Sequence, residues 1–381
     1  MNPDAGLKEF PQTMTRVNSV LACSRRIPPN LRPSAFFIRG RAGVATAVLL
    51  ALLGALVLSS CGFPNRSQEA KSIASAIRAM PGVQDTTYGY DTSFDGGAHF
   101  NLDVMVGKDI SPEQAASMGA VFVDKVADAA FNSFDVSLNV TYGLAPSASS
   151  NEYGTSAKFS YAFGDPAPQS LSPSSADVAD TLRQLTKIAQ HPAVRAITVQ
   201  QPGNSRLLSA ETSTSRGFRV VLADQATKVQ LENLAASFPE LAEAQWVAPG
   251  RPAPGHRPNT YEITGRTPTV ELRDLWQRID QIAATAGAWI STETVIPSRA
   301  PSAATTVDLS LGASADIDER LKKTTDSLVP ALAELPGPVQ LRMTWVNESA
   351  KVIIGGCTQP KPNSPPLAPI EAQLRGVYER C

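Results

Sequence analysis

The order in which helical and extended patterns follow one another is the feature that most constrains the fold of this chain. Some segments carry apolar residues at every third or fourth position and others alternate apolar with polar residues, which predicts amphipathic helices and half-buried strands. From Ser67 the segments run α-β-β-α-β-β, and the same order begins again near Pro166 and near Thr267. We therefore predict an α+β fold of three tandem two-layer domains, each with a mainly antiparallel sheet and helices on one face.

Chain length and proline-rich segments give the boundaries of these units. The 381 residues are too many for one ordinary domain. We place the three repeats at residues 61–165, 166–266 and 267–356, between a leader at 1–60 and a Pro-rich tail at 357–381. The alternative is that the same order of helices and strands recurs without homology between the units. One sequence does not determine the order of the strands in the sheet.

The first repeat contains the clearest local signals. Its second strand alternates, with apolar residues predicted to face the core at Phe100, Leu102, Val104 and Val106. The segment that begins at Ser111 and ends at Gln114 is a capping box with proline at the first helical position, so a helix should begin there. We expect equivalent helix starts at Asp224 and Ser314, and we expect Val229 to be a core residue of the helix after Asp224.

The leader and the rest of the chain differ in charge. Seven basic and two acidic residues precede Cys61, a net charge of +5, so the total of −1 leaves −6 for the remainder. A mildly acidic protein has no electrostatic reason to bind nucleic acid, and we predict none as a partner. Residues 42–58 form an uncharged, largely apolar run behind Arg39 and Arg41. This run is slightly shorter than the roughly 20 residues that a transmembrane helix needs.

The tetrapeptide Leu58-Ser59-Ser60-Cys61 directly follows the apolar run and resembles the lipobox of bacterial lipoproteins. This resemblance implies that Cys61 carries a diacylglyceryl group, that the leader is removed before it, and that the protein is lipid-anchored at the extracytoplasmic face of the cell membrane. The alternative is a single-pass anchor with an unmodified Cys61. The Ala/Pro/Arg-rich composition is similar to that of actinobacterial envelope proteins, and the resemblance assigns no family to the mature part.

The cysteine count is consistent with export. Of the four cysteines, Cys23 lies in the leader and Cys61 is the predicted lipid site, which leaves Cys357 and Cys381. An even pair in an oxidising compartment predicts a disulfide, which would close a Pro-rich loop and contribute about 3 kcal/mol in the chain-entropy estimate. Two free thiols are the alternative. A metal site is less favoured because no histidine lies nearby.

Motifs for catalysis or cofactor binding are missing from the sequence. It contains neither a Walker loop nor a G-x-G-x-x-G fingerprint, and the sequence around Ser314 lacks the last glycine of a nucleophile elbow. The three histidines, His99, His191 and His256, have no second ligand at the spacing of a metal site. We therefore expect a protein that is not an enzyme and that has no cofactor and no metal.

Two functions then compete. The first is a non-enzymatic envelope lipoprotein that presents its modules for protein interaction or scaffolding. The second is a carrier that holds a lipid or cell-wall precursor between helices and sheet, which would need an enclosed apolar cavity. The tryptophans could line such a groove, although core packing explains Trp276 and Trp345 more simply because both continue apolar patterns. A scaffold, in contrast, should have a solidly packed core.

Overall fold

A computed structural model describes most of the chain from residue 65 onward. The described residues are 65–93, 97–131, 134–143, 154–162, 174–200, 217–251, 258–296, 303–312, 317–345, 348–358 and 369–381. Leu58, Ser59, Ser60 and Cys61 lie outside these ranges, so the lipid anchor stays a prediction. Among the described helices, none combines the length and the apolarity that crossing a bilayer requires.

The described residues form seven α-helices, one 3₁₀ helix and twelve strands. The helices are α1 Ser67–Arg78, α2 Pro112–Asp128, α3 Ser175–Ala189, α4 Lys228–Ser237, the 3₁₀ helix Pro239–Glu243, α5 Val270–Thr285, α6 Ile317–Leu332 and α7 Pro369–Tyr378. The strands are β1 Val83–Ser93, β2 Gly97–Val106, β3 Phe134–Tyr142, β4 Ser156–Ala162, β5 Val194–Gln200, β6 Gly217–Leu222, β7 Gln245–Pro249, β8 Thr260–Thr264, β9 Ala288–Val295, β10 Thr305–Leu311, β11 Val339–Trp345 and β12 Glu348–Ile354.

All twelve strands belong to one mixed sheet, and their order in space follows their order in the chain. Antiparallel and parallel pairs alternate from β1 to β12. Each parallel pair is joined through a helix, as such a crossover requires, and no described helix stands between the strands of an antiparallel pair. The architecture is therefore a series of six α-β-β units, each of which adds two strands to the same sheet.

The prediction of three separate two-layer domains with mainly antiparallel sheets is wrong. At both predicted boundaries the strands pair in parallel, β4 with β5 and β8 with β9. The helices at these boundaries, α3 and α5, connect their strands in the same way as α2 does within the first predicted repeat, so the element order does not distinguish a boundary from an ordinary crossover. Pairing across the boundaries also removes strand edges that separate four-stranded sheets would have exposed.

The helices cover one face of this sheet. Every crossover moves in the same direction along the sheet, and right-handed crossovers in one direction place their helices on the same side. A single cluster of buried apolar residues joins this side of the sheet to the helices. It includes Phe100, Leu138, Val220, Ile290 and Leu341 from the strands and Ile77, Phe122, Leu182, Ile279, Leu328 and Leu374 from the helices.

Capping residues determine where the helices start. The capping box at Ser111 is confirmed, because the Gln114 N–H donates to Ser111 Oγ at 3.1 Å and the Ser111 N–H donates to Gln114 Oε1 at 2.9 Å. The predicted cap at Asp224 is wrong, since a capping box begins three residues later and Thr227 caps α4. The predicted cap at Ser314 lies outside the described residues.

The expected burial of Val229 is also wrong, because its side chain is 63% exposed. Leu231 and Leu234 of the same helix are buried. Residues two positions apart lie about 200° apart around a helix, so Val229 and Leu231 cannot face the core together. Leu231 and Leu234 are three residues apart and lie on the same side of the helix, and this side faces the core.

The last helix covers the edge of the sheet at β12. The Arg375 Nε donates to the Lys351 carbonyl at 3.1 Å, and the Ile353 N–H donates to Glu379 Oε1 at 3.0 Å. Both backbone groups belong to the edge strand and would otherwise be open to pairing with another strand. A disulfide joins Cys357 to Cys381, with their Cα atoms 5.0 Å apart. It ties the chain end that follows α7 to the end of β12.

Candidate functional site

The second face of the sheet carries none of the described helices, and we call it the open face. Because side chains alternate along a strand, the residues between the core positions point to this face. Polar and charged side chains occupy it in two regions, one on β2 and β3 and one on β8 to β11. These two regions need no apolar cover, and their exposed charged groups are available to a partner.

The first region is the β2–β3 patch, in which polar side chains pair across two parallel strands. Asn139 Nδ2 donates to Asp103 Oδ1 at 2.7 Å, and the Ser137 hydroxyl donates to Asn101 Oδ1, also at 2.7 Å. His99 Nδ1 lies 3.6 Å from Asp135 Oδ2, and the Asp135 side chain is 69% exposed. The strand register aligns these pairs one behind another. The patch is therefore a ladder of preformed polar pairs with an exposed carboxylate at one end.

The second region is the carboxylate patch, formed by Glu262 of β8, Glu293 of β9 and Asp308 of β10. Glu262 and Glu293 are directly opposite each other in the parallel pair. Glu262 accepts hydrogen bonds from Arg219 Nη2 at 2.9 Å and from Gln245 Nε2 at 2.6 Å. Its charge is thus compensated by side chains of β6 and β7.

Glu293 is in a different electrostatic situation from Glu262. Desolvation raises its pKa above the ordinary value of 4.5, the carboxylates of Glu262 and Asp308 raise it further, and Arg342 opposes them. Arg342 Nη1 lies 3.7 Å from Asp308 Oδ1, and both side chains are about half-exposed. An arriving basic side chain would relieve the repulsion around Glu293, so the patch is suited to a positively charged group of a partner.

The middle of the open face is apolar and separates the two polar regions. Ala196, Val221 and Val247 are paired across β5, β6 and β7 and form a small buried cluster of their own. They are small or β-branched residues. The polar regions at either side are therefore the parts of this face that present charged groups to solvent.

The residues singled out in the sequence are scattered. The His191 ring accepts from the Ala193 N–H at 3.2 Å at the end of α3, and desolvation lowers the pKa of His191. His256 lies outside the described residues. Within the described part of the chain, the one group close enough to hold a metal is Cys357, Glu379 and Cys381, whose two sulfurs form the disulfide.

Three of the tryptophans are buried, and their surroundings match core packing. Trp246, Trp276 and Trp345 are at most 4% exposed and belong to the main core cluster. Trp289 is half-buried at a position that faces away from the helices. Among the described residues, these rings do not line a common groove.

Sequence reasoning missed the carboxylate patch. Glu262, Glu293 and Asp308 alternate with buried residues along their strands, so the sequence pattern indicates that their side chains face away from the core. The pattern does not indicate that they lie close together, because this depends on the pairing of β8 with β9 across the predicted domain boundary. Comparison with protein-family models, with curated proteins and with solved structures finds no significant match to this chain.

Proposed function

We propose that the exported part of this chain is a non-enzymatic interaction protein of the bacterial cell envelope, held at the extracytoplasmic face of the membrane by a lipid on Cys61. One observation carries the proposal: a twelve-stranded sheet is covered by helices on one face and presents charged patches on the other. The partner class that this surface fits is a protein with exposed basic side chains.

The size of the open face supports this proposal. Twelve strands at a spacing of about 4.8 Å span roughly 50 Å, and the two polar regions lie on either side of the buried apolar residues of β5 to β7. A standard protein interface needs about 800 Å² on each partner, which a fraction of such a face provides. Charge pairs at an interface give specificity and rate of association more than raw affinity. A surface of preformed polar pairs is therefore suited to a specific and reversible partner.

The carrier alternative has less support from the clefts on the helix side. A carrier of a lipid or wall precursor would need an enclosed apolar cavity. One cleft of about 430 Å³ is partly open and is lined by three arginines and two aspartates among other residues. Another of about 340 Å³, between α5 and α6, is lined mainly by polar residues, including Arg320 and Lys323. Neither lining suits the acyl chain of a lipid.

Site-specific photo-crosslinking in the native host tests the interaction surface. A photoreactive amino acid at Asp135 or at Arg342 places the probe on one of the two patches of the open face. The matched controls are Lys125 and Lys322, which are equally polar and exposed on the outer sides of α2 and α6. We expect an adduct of one defined mass from the open-face positions and none from the helix positions.

The proposal fails if all four positions give the same adducts, or if none gives an adduct while the protein is present at its normal level. Membrane fractionation of the same cells reports on the anchor separately. A partner found at the open face of a protein that is not membrane-bound would support the interaction and contradict the lipid anchor.

A further inference from the structure

A cleft on the helix side of the sheet, which we call the Asp280 cleft, is built differently from the open face. It lies between the ends of β6 and β7 and the middle of α5, and its volume is about 430 Å³. Apolar side chains, among them Leu222 and Pro249, form part of its lining, and charged side chains form the rest. This volume falls within the range of small-molecule sites, roughly 300–1,000 Å³.

Asp280 is buried at the floor of the cleft and holds the surrounding groups in place. Its Oδ1 accepts from Asn259 Nδ2 at 2.7 Å and from the Tyr261 hydroxyl at 3.1 Å. The Arg251 N–H donates to Oδ2 at 3.2 Å, and Arg251 Nε lies 3.6 Å from the same oxygen. A Cβ at Gly250 would come within 2.5 Å of Oδ1, so only glycine allows this approach. The carboxylate is thus saturated with donors and leaves little negative charge to repel an anion.

Three guanidinium groups surround the cleft. Arg251 pairs with Asp280, and its side chain is 62% exposed. At the rim, Arg195 Nη1 lies 3.7 Å from Asp224 Oδ1. Arg273 of α5 is the third, and its Nη1 donates to the Ala226 carbonyl. Three cations against two carboxylates leave a local excess of positive charge, in a protein whose mature part is acidic overall.

Two buried donors in the lining lack an acceptor. Among the residues that the structure describes, neither the Trp276 Nε1 nor the Arg273 Nε has a hydrogen-bond partner. The two residues are three positions apart on α5 and therefore lie on the same side of the helix. Unpaired buried donors also occur away from the cleft, at Trp246, Trp289 and Arg66. The two on α5 differ from these because both belong to residues that line a cleft with an excess of cations, and an acceptor supplied from outside would satisfy them.

We propose that the Asp280 cleft binds a small organic oxyanion, whose carboxylate or phosphate group accepts from Trp276 and the arginines and whose apolar part packs against Leu222 and Pro249. Three arginines against two aspartates in the lining favour an anion over a ligand that acts chiefly as a donor. The cleft is on the opposite side of the sheet from the open face. The proposal is therefore independent of partner binding there.

Calorimetric titration of the full-length protein with simple probes tests this proposal. Phenyl phosphate and benzoate carry the two candidate groups, inorganic phosphate lacks the apolar part, and benzyl alcohol lacks the charge. We expect saturable binding of at least one aromatic anion, weaker binding of inorganic phosphate and none of benzyl alcohol. The better of the two aromatic anions identifies the anionic group.

A pair of tryptophan variants isolates the donor. Trp276→Phe keeps an aromatic ring but removes the Nε1 donor, and it should weaken binding of the aromatic anion about tenfold, as expected for one hydrogen bond to a charged group. Trp246→Phe is the matched control, because the Trp246 Nε1 is also buried and unpaired but does not line the cleft. It should leave the affinity within about twofold.

Three results would overturn the proposal. They are no saturable binding of either aromatic anion, binding of benzyl alcohol as tight as that of the anions, and an equal loss of affinity in the two tryptophan variants. Thermal unfolding of each variant identifies misfolded protein. If Trp276→Phe does not fold, Arg251→Gln at the exposed rim replaces it and should weaken binding at least as strongly.

Discussion

On the open face, Glu293 stands between two other carboxylates, and its side chain is stabilised less by the fold than that of its neighbour Glu262. A carboxyl group whose pKa is higher in the folded state binds its proton more readily there. The folded state therefore loses stability as the pH rises from the pKa of the group in the unfolded chain through its higher pKa in the folded protein. Residues that are unfavourable for folding but exposed to partners are expected at functional surfaces.

This situation predicts that Glu293→Gln stabilises the protein at neutral pH. The gain should be below about 1 kcal/mol, because the side chain is exposed and solvent screens the repulsion. It should disappear below the ordinary pKa of 4.5, where Glu293 is already protonated. Urea unfolding at both pH values measures it, with the exposed Glu319→Gln of α6 as the control. A loss of stability at neutral pH would contradict the interpretation of the patch.

The proposed lipid anchor would depend on one atom, the sulfur of Cys61. In a bacterial host, Cys61→Ala should remove the acceptor for the diacylglyceryl group and leave an uncut precursor, since the leader is cut only before a lipidated cysteine in proteins with a lipobox. Mass spectrometry of the membrane fraction measures both the lipid and the leader. Cys23→Ala is the control and should change neither. An unchanged mass and unchanged membrane retention in Cys61→Ala would refute the anchor.

At the scale of elements, the end of the sheet at β12 is closed by α7 and its disulfide. The double variant Cys357→Ser with Cys381→Ser should lower the free energy of unfolding by about 3 kcal/mol, the expected value for a closed loop of this length. It should also speed hydrogen exchange of the Ile353 N–H, which loses a firmly held acceptor in Glu379. Urea unfolding and exchange measured by mass spectrometry test the two effects. Unchanged stability under non-reducing conditions would show that the disulfide does not hold this edge.

The elements themselves were largely predictable from the sequence. Local signals such as the capping box at Ser111 and the alternation from Phe100 to Val106 act over a few residues, and the structure follows them. Errors occurred where two local signals compete. Asp224 and Thr227 are both good capping residues, and only the capping box that Thr227 forms with Gln230 favours Thr227.

At the scale of the whole molecule, the sequence did not determine which strands are neighbours. The pairing of β4 with β5 involves residues on both sides of a proline-rich segment, and no local pattern distinguishes it from two sheet edges in separate domains. The carboxylate patch was unpredictable for the same reason, because it exists only if β8 and β9 pair. The buried Asp280 was missed because a charged residue within an apolar helix stripe shows its partners only in three dimensions.

A pair of engineered cysteines tests whether the strands on the two sides of the predicted boundary belong to one continuous sheet. Glu262 and Glu293 are paired across the supposed boundary between β8 and β9 and face the same side. Adjacent strands bring their Cα atoms to about 4.8 Å, within the reach of a disulfide. Glu262→Cys with Glu293→Cys should therefore form an intramolecular disulfide on mild oxidation, detected by peptide mapping. The control pair, Glu262→Cys with Asp308→Cys, spans two strands at roughly 10 Å and should not. Rapid crosslinking of the first pair alone is the predicted result, whereas no crosslink in either pair would contradict the continuous sheet.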